Sequence, residues 1–521
     1  MFKKTLIALL LFGIASAQLL GSRAPSSRAE TWYANSVFYQ VFVRSFQDSN
    51  GDGKGDLAGL TSRLDYLKDL GINALWLNPI HPSPSYHGYD ITDYQGINPD
   101  FGTLEDFKVF LAAAKARGIR VILDYVPNHT ARSHPWFLNA LAGGDKKSWY
   151  NWRDQNPGWK QPWVGGNPAW HPVSSSKTEY YYGVFWEGMP DLNWRNANVR
   201  EAMFAAAKYW LELGVDGFRV DAPRYLFEET DGNTPDTQAD MDWQTDFTQF
   251  VKGIKADATV VSEIWTNTET VAKYFQNGTG QKMGFNFDLG RAVRETANRA
   301  NPGAVQQVLA RVASSYPKEA VDAIFTSNHD LERMKFFNAG RYRSAAAMLL
   351  TLPGTPFIYY GEEIGMPNAA SSRDEAKRTP MRWSNGAFAG FSSVQPWQLF
   401  SSSEENINVA AQQKAGSLWT LYKNLIRIRQ ANPALRVGGY EPINTGNDRV
   451  FAFTRAYKDQ KIAVVINLDS DPQVATLSTK KTLLELGGTV RELTHGKNLA
   501  AMKNNYQVKL SPYGFVLLEV R

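Results

Sequence analysis

The stretch that decides the fold is GFRVD, residues 217–221. Its apolar positions predict a short buried strand, and the strand ends in a carboxylate, Asp221. An amphipathic helix is predicted just before it, over Val199–Leu213. A helix that leads into a short apolar strand with a polar end is the repeating unit of α/β proteins, so we expect the same unit elsewhere in the chain.

Seven further strands of this kind are predicted on either side of GFRVD. Helical patterns separate them, for example Leu104–Ala116 and a leucine face over Leu57–Leu70 that stops at Gly71. Eight strands alternating with helices over roughly 400 residues predict an α/β fold, the (β/α)8 or TIM barrel. The predicted strands are Val37–Phe42, Ala74–Ile80, Val121–Val126, Gly217–Asp221, Thr259–Trp265, Phe285–Leu289, Ala323–Ser327 and Pro356–Tyr360.

Two departures from the repeat predict further domains. Residues 130–190, between strands three and four, are rich in Pro, Gly, Asn and Trp, which predicts an inserted domain B whose tryptophans mostly form its own small core. After about Arg436, short strands divided by polar turns predict a C-terminal antiparallel β-sandwich, residues 436–521. The catalytic barrel would then comprise residues 32–129 and 191–435.

The N-terminus and the composition limit where and on what the protein acts. Residues 1–17 combine two lysines, an apolar run and Ala-Ser-Ala, which predicts a signal peptide followed by a flexible lead-in, residues 18–31. The apolar run is too short to span a bilayer, so we expect a secreted or periplasmic protein without a membrane partner. We also expect a monomer. The 56 Lys and Arg residues are scattered among 51 Asp and Glu residues, so no nucleic-acid partner is expected. The absence of cysteine excludes disulfides and thiolate catalysis.

Polar residues stand at the predicted C-terminal ends of four strands, where barrels of this type carry their catalytic groups. One aspartate at such a place is usually a helix cap or an ion-pair partner. Carboxylates from several strands, which converge at the mouth of the barrel, indicate a functional site instead. The four ends are DYVPNH (124–129), GFRVD (217–221), SEIW (262–265) and SNHD (327–330).

Three of these carboxylates predict a glycosidase site. Asp221, Glu263 and Asp330 would repel one another, which raises the pKa of at least one of them. Arg219, two residues before Asp221 on the same strand face, would hold Asp221 ionised. An ionised nucleophile and a protonated acid about 5 Å apart are what a retaining glycosidase needs.

The four motifs, in this order and spacing, closely resemble those of the α-amylase family, glycoside hydrolase family 13. The resemblance implies that Asp221 is the nucleophile, Glu263 the general acid/base, and Asp330 the residue that grips sugar hydroxyls and stabilises the transition state. YHGYD (86–90) resembles the segment that lines the same subsite, with its tyrosine as a stacking platform. The implied substrate-binding residues are His87, Tyr89, His129, Arg219, Trp265 (flanking the leaving group) and His329.

The subtype rests on three further segments. MPDLN (189–193) resembles the fifth motif of the group between oligo-1,6-glucosidases and neopullulanases, which includes secreted α-amylases. Tyr86 stands where relatives that trim single glucoses usually carry an aspartate, which favours internal cleavage of α-1,4-glucan, that is, starch and maltooligosaccharides. KRTPMRW (377–383) is similar to segments of glucosidases and trehalose-forming relatives, which leaves an oligosaccharide α-glucosidase or a transglycosylase open. The complete set of acids disfavours a non-catalytic carbohydrate-binding relative.

The stretch DSNGDGKGD (48–56) has oxygen-bearing side chains at alternate positions, which suits a hard cation; a turn without an ion is the alternative. Gly59 stands where a helix-loop-helix calcium loop needs a glutamate, so that regulatory fold is excluded. The resemblance to the α-amylase family also implies a calcium site between the barrel and the insertion that uses Asn128, but Tyr225 stands where members of the family often have a histidine, which leaves that site open. By the family resemblance, the loop binds one calcium through Asp48, Asn50, Asp52, the Lys54 carbonyl and Asp56.

Overall fold

The computed structural model describes residues 30–163, 165–174, 178–228, 235–336, 338–477, 490–499 and 506–520. The predicted signal peptide, residues 1–17, and the lead-in up to residue 29 lie outside the described residues. Within the described part of the chain, no helix combines the length and the apolar character needed to cross a membrane.

Eight parallel strands close into a barrel, which confirms the predicted (β/α)8 fold. Each strand pairs with its neighbours along the chain, and the first strand pairs with the last in the register Phe38 to Phe357, which closes the sheet. We number the strands β1 to β8 in chain order: Phe38–Val41, Ala74–Leu77, Arg120–Tyr125, Gly217–Val220, Thr259–Ser262, Met283–Phe285, Val321–Phe325 and Thr355–Tyr359.

Helices lie between the strands and cover the outside of the barrel. The predicted helix Leu104–Ala116 is present, and the Thr103 and Asp106 side chains cap its first turn reciprocally. The leucine face predicted over Leu57–Leu70 is divided into two helices at Arg63 and ends at Gly71, whose φ of 98° suits glycine. The α-helices are Leu57–Ser62, Leu64–Leu70, Leu104–Ala116, Pro135–Leu141, Ala197–Leu213, Gln238–Ile254, Thr268–Tyr274, Phe287–Arg299, Gly303–Ser315, Ala339–Thr351, Val409–Gln412, Leu418–Ala431 and Pro433–Val437.

The prediction for the sixth strand was wrong in its position. A strand was predicted over Phe285–Leu289, but β6 ends at Phe285 and a helix begins at Phe287. The Asn286 side chain accepts a hydrogen bond from the Leu289 N–H and so caps the helix. The apolar side chains that suggested a strand are buried on the first turn of the helix instead, because local capping decides the backbone path there.

Aromatic and aliphatic side chains fill the interior of the barrel below its C-terminal mouth. The rings of Phe38 and Phe357 stack with centroids 4.3 Å apart, and Trp76 packs against Phe285 at 5.4 Å. Trp76 also contacts the ring of His329 at 5.6 Å. The filled interior therefore supports the polar residues that stand at the strand ends above it.

The insertion between β3 and β4 contains a three-stranded antiparallel sheet, formed by Trp152–Arg153, Trp170–Pro172 and Tyr180–Tyr182. Some of its tryptophans form the core of the insertion, as expected, for example Trp170, which is 3% exposed. Trp163 and Trp186 are exposed instead. The insertion therefore presents aromatic rings to solvent as well as to its own core.

The C-terminal part is an antiparallel β domain, which confirms the prediction. A six-stranded sheet and a two-stranded sheet pack over a shared apolar core. Arg455, which is fully buried, donates hydrogen bonds to the carbonyls of Thr351 (2.5 Å) and Gly438 (2.9 Å), which ties this domain to a barrel helix. The strands are Gly439–Pro442, Val450–Tyr457, Gln460–Asn467, Gln473–Leu477, Val490–Glu492, Lys497–Leu499, Tyr506–Leu510 and Phe515–Val520.

Candidate active site

A cavity of about 670 Å³ opens at the C-terminal mouth of the barrel. Seven of the nine predicted catalytic and substrate-binding residues line it: His87, Tyr89, His129, Asp221, Glu263, Trp265 and Asp330. The other two, Arg219 and His329, are buried behind its wall. The remaining lining residues are Pro162, Trp163, Phe185, Met189, Ala222, Arg224, Tyr225, Pro235, Asp374 and Arg378.

The guanidinium of Arg219 joins three carboxyl groups from three neighbouring strands. Its Nη1 donates to Asp124 Oδ1 at 2.7 Å and to Asp221 Oδ1 at 2.6 Å, and its Nη2 lies 2.6 Å from Glu263 Oε1. Only 1% of the Arg219 side chain is exposed. The two predicted reacting groups, Asp221 and Glu263, are therefore held by one buried cation. Asp124 was not predicted as a site residue, although it begins the motif DYVPNH.

The backbone next to Asp221 contributes a further contact. Ala222 has a φ of 46°, which is in the left-handed region and costly for a residue with a side chain. In this conformation its N–H donates to Glu263 Oε2 at 3.3 Å. Each oxygen of Glu263 thus has a donor, one from Arg219 and one from the main chain.

The environment separates the acids electrostatically. Burial raises the pKa of Glu263 well above its ordinary value, and the neighbouring Asp221 adds to this while Arg219 opposes it. Burial also raises the pKa of Asp221 against the influence of Arg219, and raises the pKa of Asp124 to about 7. These raised pKa values agree with the expectation that at least one of the converging acids has a raised pKa. Arg219 lowers the pKa of Asp221, as expected, but burial raises it by more.

Asp330 lies in a different environment. Its Oδ2 is 3.0 Å from His329 Nε2, and its Oδ1 accepts a hydrogen bond from Arg378 Nη2 at 3.1 Å. Burial alone would raise the pKa of Asp330, but His329 and Arg378 lower it below its ordinary value. Gln40 Nε2 faces His329 Nδ1 at 2.8 Å, so the Nε2 of this imidazole carries the proton, and its hydrogen-bond partner is the Tyr89 hydroxyl at 2.6 Å. Asp330 is therefore held as a carboxylate.

Tyr89 belongs to the wall of the cavity and to the network behind it. Its hydroxyl donates to Asp124 Oδ2 at 2.8 Å and lies 2.6 Å from His329 Nε2. The Tyr89 and His329 rings stack with centroids 5.3 Å apart and an interplanar angle of 10°. The predicted stacking platform is thus fixed by hydrogen bonds at its far end.

The other predicted binding residues are held in distinct ways. His129 Nε2 faces the Tyr89 carbonyl at 3.2 Å, and burial lowers the pKa of His129 to about 4, so its ring is neutral near pH 7. His87 Nδ1 accepts from the Tyr89 N–H at 3.1 Å. Trp265 is 46% exposed and stacks on Phe287 with centroids 4.9 Å apart. The cavity wall therefore offers neutral imidazoles and the half-exposed indole of Trp265, in addition to the exposed Trp163 of the insertion.

Two residues of the loop after β8 were not predicted and stand beside Tyr86. The Tyr86 hydroxyl donates to Asp374 Oδ2 at 2.6 Å and accepts from Arg378 Nη1 at 3.2 Å. Arg378 Nη2 lies 3.0 Å from Asp374 Oδ2 and also reaches Asp330. Arg378 lies within the segment KRTPMRW (377–383). Asp374 precedes this segment, and no sequence motif indicated a role for it. A carboxylate is therefore present at the cavity wall next to Tyr86.

The loop 48–56 follows the short turn after β1. Asp48 Oδ2 accepts from the Gly53 N–H at 2.9 Å, and Asp56 Oδ1 caps the following helix. In the described residues, no group of three or more His, Asp or Glu side chains is arranged to hold a metal ion. An ion in this loop would therefore also need Asn50 and the Lys54 carbonyl. All of these donors are oxygens, which suits calcium.

A pair of buried oxygens lies where the insertion joins the barrel. Asn128 Oδ1 and Asp191 Oδ2 are both buried and lack a hydrogen-bond partner in the described part of the chain. Burial raises the pKa of Asp191 well above its ordinary value. Asp191 is the third residue of MPDLN and was not predicted as a site residue. Two orphaned oxygens fit a cation, which would satisfy both.

Comparison with known proteins identifies relatives over almost the whole chain. Residues 40–438 match the alpha amylase catalytic domain family, and residues 440–517 match the maltogenic amylase C-terminal domain family. "Alpha-amylase 3" of Dictyoglomus thermophilum is 36% identical over 500 residues, which cover 94% of each chain. "Glucan 1,6-alpha-glucosidase" of Streptococcus pneumoniae is 33% identical and covers 90% of this chain and 98% of the relative. The crystal structure of the alpha-amylase from H. orenii superposes with a TM-score of 0.82 at 36% identity, covering 93% of this chain and 99% of that one.

We predict that Arg219→Met lowers stability increasingly as the pH rises. Without the guanidinium the pKa values of Asp124, Asp221 and Glu263 rise further. Raised pKa values in the folded state cost stability as the pH rises above the ordinary carboxyl values. Melting curves should show a small deficit relative to the wild type at about pH 5, and one corresponding to about 3 kcal/mol or more at about pH 8. Arg219→Lys, which keeps a cation, is the control with a smaller deficit. A deficit for Arg219→Met that does not change with pH would contradict the role assigned to Arg219.

Proposed function

The chain belongs to the α-amylase family, glycoside hydrolase family 13, and from this premise we propose that it is a secreted, retaining α-glucan hydrolase. It would cleave internal α-1,4-glucosidic bonds of starch and maltooligosaccharides as a monomer. The observation that carries the proposal is the joint binding of Asp221 and Glu263 by Arg219 at the wall of one cavity. The signal expected in residues 1–17 supports export. The complete set of acids argues against a non-catalytic relative.

In the proposed double displacement, Asp221 attacks the anomeric carbon of the sugar. Glu263, kept protonated by burial, gives its proton to the leaving glycosidic oxygen as that bond breaks. The product is a glycosyl ester on Asp221 and a free sugar hydroxyl. Glu263, now a carboxylate, takes a proton from water, whose oxygen attacks the anomeric carbon and releases Asp221. Asp330, ionised beside Arg378, would hold the hydroxyls of the reacting ring.

Internal cleavage and terminal cleavage are each supported by a specific observation. Tyr86 stands where glucose-trimming relatives carry an aspartate, and the relative named Alpha-amylase 3 is 36% identical, both of which favour internal cleavage. Asp374, whose Oδ2 lies 2.6 Å from the Tyr86 hydroxyl, places a carboxylate at the same cavity wall from a different segment, the loop after β8. That contact favours the second candidate, an oligosaccharide α-glucosidase or transglycosylase of the same family.

We also propose that calcium stabilises the first barrel loop through Asp48, Asn50, Asp52, the Lys54 carbonyl and Asp56. The oxygen donors of the loop support this proposal, because calcium prefers oxygen ligands. Asn128, with Asp191, is proposed as a second site because both have orphaned buried oxygens. Calcium at either place would stabilise the fold and take no part in bond cleavage.

The acid/base assignment predicts different losses for different substrates. Glu263→Gln should abolish turnover of starch but affect formation of the glycosyl-enzyme from an activated aryl glucoside much less, because a good leaving group needs no proton. Asp221→Asn should abolish turnover of both substrates. Pre-steady-state release of the aryl group checks this. Equal release by wild type and Asp221→Asn would remove Asp221 as the nucleophile.

The internal-cleavage proposal predicts the order in which signals change during starch digestion. Iodine staining and viscosity should fall early while little glucose forms, because chains are cut far from their ends. A time course of the three signals on starch, with maltotriose digestion alongside, is the measurement. Glucose as the dominant product from the first minutes would select the α-glucosidase instead.

The calcium proposal predicts that Asp52→Ala lowers the melting temperature and removes its calcium dependence, with turnover at low temperature nearly unchanged. Calcium at a hundredfold excess over its dissociation constant adds about 2.7 kcal/mol to the stability of the wild type. Melting curves of both proteins with and without chelator are the measurement. If Asp52→Ala responds to calcium as the wild type does, the ion binds elsewhere, and Asn128→Ala is the next variant.

A further inference from the structure

We propose that the leaving-group side of the cleft continues past Trp265 into a groove along the helix Phe287–Arg299, which binds further glucose units of the substrate. A second cavity of about 670 Å³ shares Trp265 with the catalytic cavity. A third, of about 470 Å³, shares Glu295 and Arg299 with the second. The three cavities therefore adjoin one another in succession, from the mouth of the barrel to the C-terminal end of this helix. The inference rests on the proposed function and extends it to the binding of a long chain.

Trp265 provides a platform at the entrance of the groove. Its ring lies parallel to that of Phe287, at an interplanar angle of 7°, so one face is covered while nearly half of the residue stays exposed. Its main-chain carbonyl accepts a hydrogen bond from Arg224, which in turn is paired with Asp236. A fixed indole with one open face can stack on the apolar face of a sugar ring.

Arg294 provides hydrogen-bond donors deeper in the groove. Two other arginines of the same helix are engaged, Arg291 with Asp288 and Arg299 with Glu295 at 2.8 Å. In the described residues, the Arg294 side chain has no hydrogen-bond or ion-pair partner; it is partly buried, which lowers its pKa, while the more distant carboxylates of Glu362 and Glu332 act in the opposite sense. Its planar group has five N–H donors, which suit sugar hydroxyls as acceptors.

The charges of the groove indicate a neutral ligand. Its acidic and basic side chains are paired with one another, and Arg294 is attracted by Glu362 and Glu332. The exposed amide of Asn298 lies beside them and accepts a hydrogen bond from Arg341 at 3.2 Å. Such a surface has little net field to attract an anion, but it combines an aromatic face with several polar donors and acceptors. A polyhydroxylated chain fits this chemistry.

The position of the groove identifies which part of the glucan it would hold. Trp265 is two residues after Glu263, which protonates the leaving oxygen, so the groove extends from the leaving-group side. Asp374 and Arg378 follow β8, three strands away from β5 around the closed barrel. The occupant is therefore the reducing-end portion of the α-glucan.

The test uses the full-length protein and maltoheptaose labelled at its reducing end. The wild type should first release labelled fragments of several glucose units, because those units occupy the groove. Arg294→Gln should shift the label toward shorter fragments and lower the ratio of kcat/KM for maltoheptaose to kcat/KM for maltotriose. The expected decrease is about tenfold, as for one hydrogen bond to a charged group. Arg200→Gln, an exposed arginine on the helix Ala197–Leu213 that pairs with Asp246, is the control and should leave both quantities unchanged.

Each outcome decides between the two proposals. An unchanged ratio and fragment pattern in a folded Arg294→Gln overturns the groove, while internal cleavage by the wild type still supports the proposed function. Labelled maltohexaose as the first product overturns internal cleavage, and the ratio for Arg294→Gln then decides the groove alone. Should Arg294→Gln fail to fold, Asn298→Ala at the exposed side of the groove replaces it, with a decrease in the same ratio supporting the groove and no change overturning it.

Discussion

One buried cation, Arg219, is the constraint on which the site depends. The barrel register places Arg219 beside Asp124 of β3 and Val261 of β5, so a single side chain can reach acids from β3, β4 and β5. A buried guanidinium is expensive to desolvate unless it is paired, and here three acids surround one positive charge. Because one charge cannot balance three, at least one of these acids is more stable protonated. Glu263, whose pKa is raised well above its ordinary value, takes that role.

A second buried cation, Arg378, gives Asp330 a different charge state from Glu263. Arg378 holds Asp330 ionised together with His329, and it also contacts Asp374 at the cavity wall. The site therefore has a protonated acid near one guanidinium and a carboxylate near the other. Retaining hydrolysis needs this asymmetry, because the proton donor and the group that stabilises positive charge in the transition state must differ in charge at the same pH. The closed barrel supplies it by bringing distant segments to one mouth.

The sequence predicted the barrel and the residues at its strand ends because these are local signals: an apolar strand, then a polar residue. It failed where a local cap competed with an apolar run, as at Asn286, which begins a helix where a strand was expected. The hydrogen bonds of Tyr86 and Arg219 to distant aspartates could not be predicted either. Asp374 is 288 residues from Tyr86 and Asp124 is 95 residues from Arg219, and no local pattern in either segment indicates which residue it will contact.

The catalytic acids alone do not distinguish hydrolysis from sugar transfer. In the proposed double displacement, the glycosyl ester on Asp221 would react with whichever hydroxyl Glu263 can deprotonate, and that hydroxyl belongs either to water or to a second sugar. A sugar held by Trp265 has a high effective concentration at the ester, whereas an empty groove admits water. In the proposed function, the two ends of the cleft would therefore control specificity in different ways. Asp374 and Arg378 would act on the sugar that forms the ester, and the proposed groove beyond Trp265 would act on the sugar that leaves or returns. The same groove that favours long substrates would then also favour transfer when products accumulate.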